Sequence, residues 1–432
     1  MPEKRNMIND ILNGQYEKPQ VSIKGWVYHI TNENGNISWI IRDRTGFIQV
    51  ILDKEQLPSE KYTQVFNIRR ESAVRIDGTV LQDNPPKIKA NYLDVLSLSQ
   101  DYPPLEEIPK SEYRYLQLRE PKKRATTIIM DTAANVIRAY LKDKGFTELF
   151  PPTITRMAAE DASTLFDLMY FEEPAHLIQT TQLYLEANLP VFENVFSLIP
   201  TYRKEKEKSS KHLSEFYTVE VQQAFATSDD MMKLLEDLFV TTVKTITEVN
   251  PEELKTLGRD PSKFELNTPF RRFTYDESIE ILNKASRIEK GEEVKVDWKK
   301  GFSSYQKSIL SESGVQPFFI TDFPVTARTI FMKPDSQKSD IAKSFDLIAP
   351  ISEEVASGGE IITDHDLLLE RIKHKELPIA RYKWYLDLMK HGVVEHAGFG
   401  AGLERLLMYP TGLTSIRDVS LFPRFYGESP EP

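Results

Sequence analysis

Residues 201–225 of the 432-residue chain combine charged and aromatic side chains at a spacing that suits nucleotide chemistry. Arg203 and Glu205 follow an apolar run, and the alternation of side chains along a strand predicts that both lie on the same strand face. A guanidinium suits a phosphate, whereas a carboxylate can accept from an adenine or ribose donor or help to hold Mg²⁺. The pair therefore predicts a phosphate site at the end of a strand.

The residues that follow predict a hairpin loop and a second strand. Residues 206–211 are polar or charged, and Phe216 begins another alternating run. His212, at the end of the loop, can reach a terminal phosphate, and the ring of Phe216 can stack on a purine. A charged surface hairpin without a ligand is the alternative interpretation of this stretch taken alone.

A second stretch, residues 398–405, carries the alternating glycines Gly398, Gly400 and Gly402 directly before a helical pattern that contains Arg405. Glycine lets a ligand or a backbone approach closely, and the start of a helix attracts anions. The stretch lacks the strand, loop and Lys-Ser/Thr of a P-loop, so it does not predict a Walker-type site.

In this order, the two stretches resemble the ATP site of class II aminoacyl-tRNA synthetases. The chain is most similar to subclass IIb, whose members handle Asp, Asn and Lys, and within it to bacterial asparaginyl-tRNA synthetases. Further segments that resemble the family are GFTELFPPTIT from Gly145 (the dimer-forming motif), FEEPAHLIQTTQLYLEA from Phe171 (the substrate strand), EELKTLGRD from Glu252, FDLIAPISEEVASGGE from Phe345 (the Mg²⁺ segment) and SIRDVSLFPR from Ser415.

The resemblance implies roles in ATP binding and catalysis. Arg203 would bind the α-phosphate and the substrate carboxylate, Glu205 the adenine side, and Phe216 the adenine face. His212 and Arg405 would bind the γ-phosphate. The implied catalytic residues are Arg203, Glu205 and Arg405, and the implied cofactors are ATP and Mg²⁺.

The resemblance also implies a metal site and a site for the α-amino group of an amino acid. Glu354 and Ser357 match the family positions that ligate Mg²⁺. Glu160, Gln182 and Glu220 match positions that bind the α-amino group, and their carboxylate and amide oxygens suit an ammonium.

The predicted pocket for the amino acid side chain departs from the family. Aspartyl enzymes carry a Lys where this chain has Leu185, which disfavours aspartate. Asparaginyl and aspartyl enzymes carry an Arg where this chain has Ile361 or Ile362, depending on the alignment, and the family's second acid after the stacking Phe is replaced by Gln222. Loss of the guanidinium could leave a substrate amide underbonded, at a cost of about 1–3 kcal/mol. The pocket, which includes Gln222 and Ile361, has thus lost a positive and a negative group.

The N-terminal residues predict the element that would read a nucleic acid. Residues 20–100 alternate in five short runs separated by turn residues such as Asn34 and Gly35, which predicts a small β-barrel. The resemblance makes it an OB-fold, which commonly binds single-stranded nucleic acid. The family's anticodon-reading aromatic ring and Gln fall on Ser38 and Ile40, with Trp39 on the opposite face, unless a one-residue slip turns Trp39 outwards.

The complete prediction is an α+β fold: a class II synthetase antiparallel sheet with flanking helices, preceded by an N-terminal OB-fold barrel. The barrel would span residues 1–100 and a hinge 101–124. The catalytic domain would span 125–432, with a mostly helical insertion at about 229–312. Strands and helices after residue 125 lack a βαβ rhythm, which favours an antiparallel sheet.

Composition excludes several classes of protein. The absence of cysteine excludes disulfides, thiolate nucleophiles and Cys-ligated zinc. No apolar run approaches the roughly 20 residues of a membrane helix, and MPEKRNMIND does not resemble a signal peptide, so a cytoplasmic location is expected. The net charge of -10 gives no bulk attraction for nucleic acid, and a tRNA would have to bind through a local patch.

The leading functional prediction is an asparagine–tRNA ligase type of enzyme, a homodimer that adenylates an amino acid with ATP and Mg²⁺ and charges a tRNA. The alternative is a synthetase paralogue that transfers the activated amino acid to ammonia or a small amine. A non-catalytic regulator that binds an amino acid or RNA is a third interpretation, which the presence of Arg203, Glu205 and Arg405 disfavours.

Overall fold

The chain folds into two compact units, Met1–Pro109 and Lys110–Pro432. The structure, a computed structural model, describes residues 5–33, 36–55, 57–100, 114–157, 162–290 and 296–428. Within these ranges no helix has both the length and the apolar character needed to cross a membrane.

The N-terminal unit is a closed five-stranded barrel. Its strands are β1 Gln20–Glu33, β2 Asn36–Arg42, β3 Phe47–Leu52, β4 Ala73–Leu81 and β5 Lys87–Ser97, and its helices are α1 Ile8–Leu12 and α2 Ser59–Val65. The strand order is β1-β2-β3-β5-β4, and only β3 and β5 pair in parallel. Alternate residues of β3 and β4 are buried, because successive side chains of a strand point to opposite faces.

The register of β2 decides which of its side chains face outwards. Trp39 is fully buried in the barrel core, whereas Ser38 and Ile40 are only half-buried on the other face. The predicted orientation of Trp39 is therefore confirmed, and the slip that would turn it outwards does not occur. The outer face of β2 presents a hydroxyl and an aliphatic side chain where an aromatic ring and a Gln are expected from the family.

The C-terminal unit is built on an eight-stranded sheet with a small three-stranded sheet beside it. The strands are β6 Thr147–Glu148, β7 Ile154–Thr155, β8 Asp167–Tyr170, β9 Glu173–Leu177, β10 Asn194–Tyr202, β11 Glu215–Ala224, β12 Arg271–Thr274, β13 Phe318–Thr321, β14 Ser344–Ala349, β15 Glu353–Glu360 and β16 His396–Gly402. The large sheet has the order β12-β13-β14-β15-β16-β11-β10-β6 and is antiparallel except at its two outermost pairs. The small sheet has the order β7-β9-β8.

Helices flank the large sheet. They are α3 Arg114–Gln117, α4 Pro121–Asp143, α5 Gln182–Glu186, α6 Leu189–Phe192, α7 Ser228–Val249, α8 Pro251–Thr256, α9 Tyr275–Lys290, α10 Ser304–Ser313, α11 His365–His374, α12 Ile379–Leu388, α13 Leu403–Thr411 and α14 Ile416–Val419. The apolar stripes of α4, α7 and α13 pack on one face of the sheet, represented by Ile137, Leu235 and Leu406. Because one face is buried in this way, the opposite face is available for a site.

The predicted antiparallel α+β architecture is confirmed, and the structure adds detail to three local predictions. The predicted hinge, residues 101–124, lies outside the described residues up to residue 113, and its last part is helical, with α3 and the start of α4. The segment 229–312 contains strand β12, which pairs with β13 in the large sheet. The strand predicted to carry Arg203 and Glu205 is shorter than expected. Strand β10 ends at Tyr202, and although the amide of Arg203 still donates to the carbonyl of Ser214, the amide of Lys204 donates to the carbonyl of Thr164 outside the sheet.

Candidate active site

The site lies on the sheet face opposite helices α4, α7 and α13. Val219 and Val221 of β11 point into the core, so the residues between and beside them point to the other face. Strand β16 contributes three glycines in a row to that face, Gly398, Gly400 and Gly402, which leaves an open floor. Across the two strands the pairs are Thr218 with Gly402, Glu220 with Gly400 and Gln222 with Gly398.

Gly398 and Gly400 of this floor differ in what a side chain at each position would contact. A Cβ atom at Gly398 would lie 2.2 Å from Oε1 and 2.3 Å from Cδ of Gln222, so a side chain there requires the buried Gln222 amide to move. A Cβ atom at Gly400 would meet only Cγ of Glu220 and Cγ2 of Thr218, both at the ordinary contact distance of 3.7 Å. Position 398 is therefore restricted by the protein itself, whereas position 400 leaves space for a ligand.

One end of the site offers an aromatic ring and a cation to a nucleotide. The guanidinium carbon of Arg203 lies 5.6 Å from the centre of the Phe216 ring, within the range of a cation–π contact. Glu205 lines the same cavity from the loop that follows β10. A purine stacked on Phe216 would thus have a guanidinium and a carboxylate within reach.

Arg405 is fixed across the cavity by backbone carbonyls. It lies in the first turn of α13, and its guanidinium donates to the carbonyl oxygens of Ser352 at 3.0 Å and Lys211 at 2.6 Å. Burial lowers the pKa of Arg405, and the nearby carboxylate of Glu353 opposes this effect. These contacts hold the cation in place before any anion arrives, which is the preorganisation that phosphate stabilisation requires.

His212 is held by the loop between β10 and β11. Its Nδ1 lies 2.5 Å from Oγ of Ser209, and its Nε2 lies 3.5 Å from Glu207 and 3.8 Å from Glu205. Burial, together with the positive charge of Arg405, lowers the pKa of His212. The imidazole is therefore neutral at pH 7 and suits a hydrogen bond to a phosphate rather than a fixed charge.

The predicted metal ligands form a cluster with two cations. Glu354 and Ser357 lie on β15, and Asp346 pairs with Ser357 from β14. The ammonium of Lys307 contacts Oε2 of Glu354, and Arg328 donates to Asp346 at 2.7 Å and to Ser357 at 3.3 Å. Burial would raise the pKa of Glu354, but Lys307 and Arg328 lower it to about 2. Carboxylate and hydroxyl oxygens are ligands that Mg²⁺ prefers, so the donor set fits this ion.

The amino acid end of the site contains oxygens for an ammonium. Oγ1 of Thr180 donates to Glu220 at 2.5 Å. Nε2 of Gln182 donates to Oε1 of Glu186 at 2.8 Å, so Oε1 of Gln182 is the end of this amide that can accept from a ligand. The buried Glu186 also accepts from the hydroxyl of Tyr385.

Beside Glu220, the part of the cavity wall formed by described residues includes an uncharged group of side chains. Its lining there includes Gln222, Thr329, Met332 and Ile361. Oε1 of Gln222 and Oγ1 of Thr329 are buried, and neither has a hydrogen-bond partner among the described residues. A buried polar atom without a partner is costly, so these two atoms indicate where a neutral polar ligand group would bind.

The structure brings the predicted site residues together wherever it describes them. One cavity is lined by Gln182, Arg203, Glu205, His212, Phe216, Glu220, Gln222, Glu354, Ser357, Ile361 and Arg405. Glu160 lies outside the described residues. Leu185 does not line the cavity, because it packs beside Leu189 and Val195 in the core. Arg371 does not replace the missing pocket arginine either, since its guanidinium donates to backbone carbonyls, including that of Met332.

Sequence reasoning missed four residues of the site. Asp346 had a signal, because it is a lone carboxylate within the otherwise apolar strand β14. Lys307 and Arg328 come from distant segments without a motif. Glu404 accepts from the backbone N–H of Tyr217 at 3.1 Å, and burial raises the pKa of this carboxyl to about 7.

Comparison with known families agrees with this fold and site. Residues 106–426 match the tRNA synthetases class II (D, K and N), and residues 21–96 match the OB-fold nucleic acid binding domain. The chain therefore belongs to the class II tRNA synthetase family, and the predicted OB-fold is confirmed.

Similar proteins cover nearly the whole chain. An asparagine–tRNA ligase of Koribacter versatilis is 35% identical over 425 residues, which cover 95% of this chain and 96% of that protein. The asparaginyl-tRNA synthetase of Pyrococcus horikoshii, solved with asparaginyl-adenylate, has a TM-score of 0.91 and 31% identity and covers 99% of both chains. The Entamoeba histolytica asparaginyl-tRNA synthetase, also solved with asparaginyl-adenylate, has a TM-score of 0.88 and 27% identity and covers 100% of both chains.

Proposed function

We propose that this protein is an ATP-dependent ligase of the asparagine–tRNA ligase type. A carboxylate oxygen of asparagine attacks the α-phosphorus of ATP, pyrophosphate leaves, and the asparaginyl group then passes from AMP to the 3′-end of a tRNA. The observation that carries the proposal is the single cavity that contains both the nucleotide residues and the amino acid residues. The full-length similarity to asparagine–tRNA ligases supports the same activity.

In this proposal the protein positions the reactants and neutralises charge. Arg203 binds the α-phosphate and the substrate carboxylate, which brings nucleophile and phosphorus together and stabilises the negative charge that develops between them. Phe216 stacks on adenine, and Glu205 contacts the adenine side. Arg405 and His212 bind the γ-phosphate, where the fixed guanidinium favours the leaving pyrophosphate.

We infer that Mg²⁺ accompanies ATP and that Glu354 and Ser357 hold it, with Asp346 beside them. The ion would neutralise phosphate charge and orient the leaving group. The oxygen-only donor set supports this choice of metal.

The substrate is proposed to be asparagine because the two ends of the amino acid site differ in charge. Glu220, Gln182 and Glu160 bind the α-ammonium. The side-chain end, with Gln222, Thr329 and Ile361, is uncharged and contains two polar atoms without partners among the described residues. A carboxamide can both donate to and accept from such atoms, whereas a carboxylate would enter a pocket without a cation.

We further propose that the protein acts as a homodimer on tRNA in the cytoplasm. The motif expected to form the dimer carries Phe150, whose side chain is 77% exposed, and Phe171 nearby in sequence is 86% exposed. Large apolar side chains of this kind are typical of subunit interfaces. The OB-fold barrel supports a nucleic acid as the acceptor.

The first experiment is ATP–pyrophosphate exchange with each of the twenty standard amino acids, followed by acceptor assays with tRNA and with ammonia. We expect exchange with asparagine alone and transfer to tRNA. Arg405→Ala should lower the exchange rate by about 100-fold or more, because one preorganised charge contact is worth that much in a reaction of this kind. Arg271→Ala, a change of an exposed residue on the edge strand β12, is the matched control and should leave the rate unchanged.

Each contrary result has a separate meaning. Exchange with a different amino acid would overturn the substrate assignment. Asparagine-dependent exchange followed by transfer only to ammonia or a small amine would establish the alternative function. Wild-type exchange by the Arg405→Ala protein would refute the assignment of the nucleotide site.

A further inference from the structure

Helix α10 presents a lysine to the active site that none of the predicted motifs contains. The helix begins with a capping box, in which the Ser303 hydroxyl accepts from the Gln306 amide and the Gln306 side chain accepts from the Ser303 amide. This fixes the first turn, from which Lys307 extends into the cavity shared with Arg203 and Arg405. Lys307 thus adds a further cation to the phosphate side of the site.

The ammonium of Lys307 forms an ion pair with Glu354, the carboxylate that is proposed to bind the metal. It contacts Oε2 of Glu354, while Arg328 bonds to Asp346 and to the hydroxyl of Ser357. A divalent ion that arrives with ATP must therefore displace Lys307 from Glu354 or share this carboxylate with it.

Lys307 is able to change partners. The side chains of Lys307 and Glu354 are 28% and 27% exposed, so they meet at the wall of the cavity and not within the core. A lysine carries three donors on a flexible stem, and an ammonium binds phosphate as a point charge. Arg328 differs, because its side chain is 12% exposed and bonds to three fixed groups, Ser344, Asp346 and Ser357.

We propose that Lys307 is a phosphate-contacting residue whose ammonium neutralises Glu354 in the free enzyme and transfers to the phosphates of ATP when a divalent ion takes its place. This inference rests on the proposed function, since it assumes that ATP binds in this cavity. The exchange keeps Glu354 paired with a positive charge before and after ATP binds. It also delivers a further cation to the phosphates without leaving the Glu354 carboxylate unpaired.

Two binding measurements test the proposal without any catalytic turnover. The first is the binding of Mn²⁺ to the full chain without nucleotide, followed by electron paramagnetic resonance. Lys307→Met should bind Mn²⁺ about tenfold more tightly than the wild type, because a neighbouring cation opposes a second positive charge on a carboxylate by an amount equal to one or more pKa units. Glu354→Gln should lose this binding.

The second measurement is the binding of ATP in EDTA by calorimetry, in which no divalent ion is present. Lys307→Met should weaken ATP binding by about tenfold, because it removes a charge-assisted contact, and Lys307→Arg should retain most of the affinity. Lys300→Met is the matched control on an exposed lysine, and it should change neither affinity.

The outcomes separate this inference from the proposed function. If Lys307→Met binds Mn²⁺ and metal-free ATP as the wild type does, Lys307 is only a structural ion pair and the inference is wrong. If the wild type does not bind ATP at all, the proposed function fails first. If Lys307→Met does not fold, as judged by its thermal unfolding, Lys307→Gln is neutral and can still bond to Glu354, and it carries the same two tests.

Discussion

Replacing Gly398 and Gly400 in turn by alanine tests the floor of the site. The two glycines lie on the same face of β16, and they differ in what a new methyl group would meet. At Gly398 it would lie 2.2–2.4 Å from the Oε1, Cδ and Nε2 atoms of Gln222, which is 3% exposed and lies on a central strand. At Gly400 the nearest atoms are 3.7 Å away.

The expected magnitudes follow from these distances. Gly398→Ala should lower the free energy of unfolding by about 1–3 kcal/mol, because the amide of Gln222 must leave its place in a packed sheet. Gly400→Ala should change it by no more than about 0.5 kcal/mol, or should raise it slightly, since alanine restricts the unfolded chain. Equilibrium urea unfolding of the full chain measures both variants against the wild type.

The effects of the two substitutions on asparagine binding should not parallel their effects on stability. Gly398→Ala displaces Gln222 and should raise the KM for asparagine while the KM for ATP is retained. Gly400→Ala adds a methyl group beside Glu220, in the space proposed for the α-ammonium. It should therefore also weaken the binding of asparagine, although the stability of the protein is unchanged. Equal stability of the two variants would refute the arrangement of Gln222 over Gly398, and unchanged asparagine binding by Gly400→Ala would refute the location of the α-amino site.

Three further changes test other parts of the molecule. Burial raises the pKa of Glu404 from 4.5 to about 7, so the stability that this group gives is complete below pH 4.5 and is lost as the pH rises through 7. The free energy of unfolding of the wild type should therefore fall between pH 5 and pH 8, and in Glu404→Gln this fall should be smaller by up to about 3 kcal/mol, as measured by urea unfolding at the two pH values. Gln222→Met keeps the volume but removes the amide, so the KM for asparagine should rise about tenfold with the KM for ATP unchanged, and an unaltered KM for asparagine would contradict the specificity role. Phe150→Asp should convert a dimer to monomers in sedimentation equilibrium, whereas Val315→Asp, a change of another highly exposed side chain, should leave the dimer intact.

Local patterns in the sequence predicted the parts of the fold in which strands define the site. Alternation of apolar residues in 20–100 predicted the barrel and the inward direction of Trp39, because one face of each strand is buried. The alternating glycines of residues 398–402 predicted a strand that runs into a helix, and they form the open floor of the site. These predictions succeeded because side chains alternate along a strand with a period of two residues, and the sequence pattern has the same period.

Features that depend on distant segments were not predictable from local patterns. Lys307 reaches Glu354 from a helix 47 residues earlier in the chain, and Arg328 reaches Asp346 from an irregular segment. The end of β10 at Tyr202 depends on a bond between Lys204 and Thr164, which no alternation along the strand can indicate. The partners of a charged side chain are set by tertiary packing, whereas its strand face is set by its neighbours in sequence.

The two departures in the side-chain pocket are physically one change. Gln222 stands where the family has an acid, and Ile361 or Ile362 stands where it has an arginine. Gln222 and Ile361 are both buried in the wall of the same cavity. A charge retained at only one of these positions would be buried in this wall, where a charge without a partner costs about 3–5 kcal/mol. Loss of both keeps the wall neutral, so the pocket can remain stable while it reads its ligand through the unpartnered oxygens of Gln222 and Thr329 rather than through charge. With the proposed substrate, selectivity for asparagine over aspartate would then come from the cost of bringing a carboxylate into a pocket without a cation, and it would not require an attractive ion pair.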